Sequence, residues 1–105
     1  MTEKKKPTYD LEAFQSQCSD AASLNATTTA IKNGSDLGFT RQGMVDVIQT
    51  MRRAHFYKSM TSYTDYRVWQ DVYHVPSVAG VLYVKFTADA ISDFLLLSFK
   101  EKDNG

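Results

Sequence analysis

Three things are scarce in this sequence, and each scarcity removes a class of protein. There is one cysteine, Cys18, in 105 residues. No internal disulfide can form, no set of thiols and imidazoles has zinc-ligand spacing, and a reducing compartment suits the chain. There is no net charge, since 12 Lys and Arg balance 12 Asp and Glu. No overall field draws such a chain to nucleic acid, so any such role has to rest on a local cluster. The two halves do not differ either: residues 1–50 carry 5 basic and 6 acidic side chains, the remainder 7 and 6. Long apolar runs are also missing. None approaches the roughly 18 residues of a membrane span, and the opening "MTEKKKPTYD" has no apolar export segment. A cytoplasmic protein with no membrane partner and no bound cofactor or metal is expected.

What the chain does have is enough apolar material for one modest core. Thirteen aromatic residues (1 Trp, 6 Tyr, 6 Phe) within a 43% hydrophobic composition exclude a disordered tail. A single domain over residues 1–105 is expected, with the charged ends 1–7 and 103–105 disordered. The first half has helical periodicity. Thr8 is the expected cap of a helix with Asp10 and Glu12 in its first turn and Leu11, Phe14 and Cys18 on one stripe. A second helix starts at Thr27 or Thr28, sets Ala30, Gly34 and Leu37 along one side and ends at Gly38. The third, in "TRQGMVDVIQTMRR", is capped by Thr40 and buries Met44, Val47, Ile48 and Met51. "SLNAT" between the first two is read as a short edge strand.

The second half changes period. Segments 66–75, 81–87 and 94–101 are rich in aromatic and β-branched residues and are linked by "PSVAG" and "ADAIS". Three strands with short links imply an antiparallel meander, and helices followed by strands imply an α+β fold with the helices on one sheet face. Alternation predicts Leu82, Val84 and Phe86 on the core side of the middle strand, with Tyr83 and Lys85 opposite. In the last strand it predicts Leu95, Leu97 and Phe99 inward, with Ser98 and Lys100 outward. In the first strand Trp69, Asp71 and Tyr73 oppose Gln70, Val72 and His74, and periodicity does not say which set is buried. If Gln70 and His74 share the open face, then Gln70, His74, Tyr83, Lys85 and Lys100 lie on one surface, with Lys58 of "FYKSM" arriving beside it. Such a set suits a phosphodiester, lysines neutralising its charge and amide or phenol orienting it. The ordinary alternative is a polar sheet face turned to water.

The segments "FYKSMTSYTDYRVWQDVYH", "GVLYVKF" and "LLLSFKEK" together resemble the motility quorum-sensing regulator (MqsR) family of bacterial toxins over about residues 24–102. The resemblance implies a RelE-like fold and a type II toxin acting as a ribosome-independent, metal-independent mRNA endoribonuclease. It places the family's catalytic residues on Lys58, Gln70, Tyr83 and Lys100, and makes Tyr57, Met60, His74 and Lys85 candidates for RNA contact. It also implies two partners, single-stranded mRNA and a cognate zinc-binding antitoxin, with DNA reached only through the antitoxin. One departure is His74, where the family's best-known member has arginine. A permanent cation is replaced by a group that titrates near neutrality. That substitution and the zero net charge keep a second reading open, a non-catalytic RNA- or partner-binding module of the same fold.

Overall fold

Local capping chemistry sets the three helices in the computed structural model, which describes residues 1–91 and 93–103. Helix α1 (Leu11–Gln17) is capped by Asp10, whose carboxylate accepts from the Glu12 amide, and not by Thr8 as expected. Thr8 is held elsewhere: its amide donates to the carboxylate of Asp71 and its hydroxyl pairs with Ser59 at 2.7 Å. Helix α2 (Thr28–Asp36) is capped by Thr27, and α3 (Arg41–Thr50) by Thr40, as the sequence predicts. Gly38, at φ +93°, adopts the left-handed conformation that turns the chain after α2. "SLNAT" does not form a strand. A lone parallel bridge joins Ala26 to Leu96, because Thr27 is already committed to starting α2.

The sheet has five strands where a meander of three and the "SLNAT" edge were expected. Strands β1 (Glu3–Lys4), β2 (Phe56–Thr61), β3 (Trp69–Ser77), β4 (Gly80–Ala88) and β5 (Phe94–Glu101) follow one another in chain order, all antiparallel. Two corrections follow. The segment 1–7, expected to be disordered, carries β1, which pairs Glu3 with Met60 and Lys4 with Ser59. "FYKSM" lies in a strand of its own rather than in an approach to one. The strand that was expected from residue 66 starts at Trp69 and runs through Pro76 to Ser77. Part of the "ADAIS" link and the last two residues of the 103–105 tail lie outside the described residues.

Burial fixes the faces. Tyr73, Val75, Leu82, Val84 and Phe86 join Phe14, Met44, Ile48 and Met51 in one core between sheet and helices. Phe14 stacks flat on Phe86, with centroids 3.8 Å apart and planes 2° from parallel. Cys18 is a small buried core residue, its thiol pushed up to about 11 by burial. In β5 the predicted alternation fails: Phe94, Leu96 and Phe99 are buried, while Leu95 and Leu97 are only half-buried. Phe86 pairs with Leu96 and Lys85 with Ser98, so Leu97 is the extra residue of a bulge. The bulge resets the phase mid-strand, which a strict period of two cannot foresee.

Candidate functional site

Residues directly opposed in an antiparallel sheet share a face, so the pairing register assembles the open surface row by row. One row runs Lys58, Val72, Lys85, Ser98 from β2 to β5. The next contains His74, Tyr83 and Lys100. A third, on the other side of the first, runs Met60, Gln70, Thr87, Leu95. Val72 is fully buried yet lies outside the core cluster, since the flanking lysine stems cover it from the open side.

A second bulge shapes this surface. Phe56 pairs with Tyr73 and Lys58 with Val72, leaving Tyr57 as the extra residue of β2. Tyr57 is thereby aimed across the sheet and stacks on His74, with centroids 4.1 Å apart and planes 23° from parallel. His74 in turn lies 6.1 Å from the Tyr83 ring. The Lys58 ammonium sits 5.4 Å from Tyr57, and the Lys100 ammonium 5.3 Å from Tyr83. A cavity of about 310 Å³ is lined by Tyr57, His74, Tyr83, Lys100, Lys102 and Asp103.

The candidate residues therefore divide. Tyr57, His74, Tyr83 and Lys100 share the cavity, and Lys58 borders it through Tyr57. Lys85 is half-buried in the row between. Gln70 and Met60 lie on the same face, but Gln70 is four residues along β3 from His74, about 13 Å at strand spacing. Three nearby residues were not foreseen: Lys102 and Asp103 in the cavity wall, and Glu3. Glu3 is brought by β1 to an ion pair with Lys58 at 2.5 Å, where the lysine side chain is 18% exposed. A two-residue strand in a charged terminus has no periodicity to announce it.

Electrostatics follow from this packing. The hydrogen bond that the Lys58 ammonium donates to Glu3 raises the lysine above its ordinary range, with partial burial opposing, and lowers the Glu3 carboxyl in return. Burial, and then the charges of Lys102 and Lys58, lower His74 below its usual value near 6.5, so it is neutral at pH 7. Burial raises Tyr83 against the pull of Lys58, keeping it a protonated phenol. Burial, and then Lys100, lower Lys85.

Cations are also distributed unevenly. Lys32 is paired with Asp36 and Arg67 with Asp65, and Arg41 donates to the carbonyls of Ala21 and Leu24. The other nine of the 12 Lys and Arg lie in β1, β2, β4 or β5, or in segments joined directly to the ends of β1, β2 and β5. Lys58, Lys85, Lys100 and Lys102 gather at the open face and its cavity, with Glu3 and Asp103 beside them.

If Glu3 sets the charge of Lys58, Glu3→Gln should move the Lys58 titration to lower pH, read by NMR at its side-chain nitrogen. The alkaline limb of any Lys58-dependent activity should move the same way. A titration unchanged from wild type would separate the two residues in solution.

A lysine- and tyrosine-rich surface on a small α+β domain has the chemistry that suits a phosphodiester. A family model described as "Motility quorum-sensing regulator, toxin of MqsA" matches residues 6–101, and the chain belongs to this family of toxins. The match begins at residue 6, ahead of the segment from about residue 24 that carries the resemblance. Over 83 residues, 79% of this chain and 83% of the relative, it is 43% identical to the mRNA interferase toxin MqsR of Escherichia coli (strain K12). No helix among the described residues is long and apolar enough to cross a membrane.

Proposed function

We propose that this toxin is a ribosome-independent, metal-independent mRNA endoribonuclease whose reaction takes place in the cavity beside Lys58. The observation that carries the proposal is the convergence of Tyr57, His74, Tyr83 and Lys100 around one cavity bordered by Lys58. Cations and phenols placed together on a rigid sheet match the needs of a phosphodiester whose charge grows in the transition state. Family membership and the relative's name support the same reaction class.

The ribose 2′-hydroxyl attacks the adjacent phosphorus. Its proton passes to neutral His74 as the O2′–P bond forms and the P–O5′ bond breaks. The departing 5′-oxygen, far more basic than a phenolate, takes a proton from the Tyr83 hydroxyl. The products are a 2′,3′-cyclic phosphate and a 5′-hydroxyl. Lys58 and Lys100 stabilise the additional negative charge on the phosphoryl oxygens. Gln70 and Met60, further along the face, contact the RNA strand rather than the reacting phosphate. Lys85, half-buried in the row between, adds a further cation to the face. The remaining partner is a cognate zinc-binding antitoxin, through which alone the toxin meets DNA.

The role of His74 fixes the sign of the pH dependence. A base with a depressed pKa is competent above that pKa and is lost as pH falls through it. Cleavage should therefore drop in acid below the lowered His74 value, about ten-fold per pH unit. His74→Gln should cost about 10²-fold near neutrality and flatten that limb. A variant that keeps both wild-type rate and acid limb would assign the proton to another acceptor.

A further inference from the structure

On the helix side of the sheet a separate cleft of about 500 Å³ opens between Pro7, Asp10 and Glu12 on one wall and Arg52 and Arg53 on the other. Tyr73 lines it. This side chain is 0% exposed, and its hydroxyl has no hydrogen-bond partner among the described residues. Buried hydroxyls are rarely left unpaired, and one beside a cleft is placed to meet a polar atom of whatever enters. Burial pushes this phenol up to about 12, so it remains protonated.

The cleft is joined to the proposed cleavage site around the edge of β2. The Arg53 guanidinium lies 4.8 Å over the Phe56 ring, and Phe56 packs edge-on against Tyr73 at 5.4 Å. The next residue, Tyr57, stacks on His74 on the opposite face. Strand β1 pairs only with Ser59 and Met60. Among the described residues no strand pairs with the outer edge of β2 at Phe56–Lys58, and Lys5 lies 4.9 Å from the Tyr57 ring beside it. The way from cavity to cleft turns this edge beside residues 5–8, which Thr8 ties to Ser59 and Asp71.

We propose that the cleft holds one nucleotide of the RNA flanking the scissile phosphate. Arg52 and Arg53 take its phosphate, and the base enters edge-first, hydrogen-bonding the orphan Tyr73 hydroxyl at the inner end of the cleft. Asp10 and Glu12 accept from amino or imino hydrogens of that edge, favouring bases that carry them. The cleft's two walls of opposite charge match a nucleotide, which brings an anion at one end and hydrogen-bond donors at the other. This inference rests on the RNA-cleaving reading above and adds a specificity site to it.

Tyr73→Phe removes only the hydroxyl and leaves the ring in the core, so it should fold and melt no lower than wild type. On a long single-stranded RNA it should cut at the same phosphates but redistribute their relative rates by about two- to ten-fold, according to the base at one flanking position. Arg52→Ala/Arg53→Ala should raise KM about ten-fold uniformly across sites, leave kcat near wild type and reduce the salt slope of binding by about 0.7, the share of one phosphate. An unchanged cutting pattern together with an unchanged KM would overturn the proposal. If the wild type cuts no RNA, binding of a 2′-O-methyl RNA pool, followed by fluorescence anisotropy, tests the cleft separately. Weaker binding by the arginine variant supports it, and equal binding overturns it. Loss of affinity for purified antitoxin with RNA binding intact would assign the cleft to a protein segment and also overturn it.

Discussion

Lys58→Ala should abolish most RNA cleavage, with a loss of about 10²- to 10³-fold in kcat, the usual consequence of removing one pre-positioned charge donor. Lys58 lies where a bulge, a strand pairing and an ion pair meet. The bulge at Tyr57 sets its phase in β2, Val72 lies opposite it, and Glu3 holds its ammonium. A lysine fixed in this way meets the reacting phosphate already oriented, with little reorganisation left to the transition state. Removing the largely covered stem and the Glu3 ion pair should cost about 1 kcal/mol and leave the variant folded. Comparing single-turnover cleavage with thermal melting separates the two effects. Wild-type cleavage by a folded variant would remove Lys58 from the chemistry.

Asp71→Ala should lower stability by about 3 kcal/mol, or about 10–20 °C in Tm for a domain of this size. Asp71 is fully buried on the core side of β3 and accepts hydrogen bonds from the amides of Thr8 and Tyr9, the latter at 2.9 Å. Truncation leaves two buried donors without an acceptor, a larger penalty than the loss of a satisfied surface bond. The same carboxylate anchors the segment that follows β1, so the variant should also loosen Glu3 and expose the Thr8 and Tyr9 amides to hydrogen exchange. A change below about 1 kcal/mol, with both amides still protected, would show that β1 and the helical layer hold this segment without Asp71.

These two residues mark what could and could not be read from the sequence. The caps of α2 and α3, the buried stripe of α3, and the α+β architecture follow from local rules that the structure obeys at Thr27, Thr40 and Met44–Ile48. Thr8 misled because its hydroxyl had two possible uses. Tertiary pairing with Ser59 won, and Asp10 was left to cap α1. The open face was legible as far as alternation holds, which brought Tyr83, Lys85 and Lys100 to one side. It failed in β5, where the bulge at Leu97 exchanges the roles of Leu95 and Leu96. Tyr57 reached His74 only through the bulge in β2, and Glu3 reached Lys58 only through a pairing 55 residues distant in sequence. Pairings of that kind are encoded in the assembled sheet rather than in any window of the chain. The balanced charge was similarly uninformative, because only the strand register brings Lys58, Lys85 and Lys100 to one face.

The most direct test of RNA cleavage at this cavity is to map both ends of the products from a long single-stranded RNA incubated with the purified protein in EDTA. Discrete cuts bearing 2′,3′-cyclic phosphates and 5′-hydroxyls, and missing when Lys58→Ala replaces the wild type, are the predicted result. Intact RNA in the presence of folded wild-type protein, or equal cutting by both proteins, would contradict it.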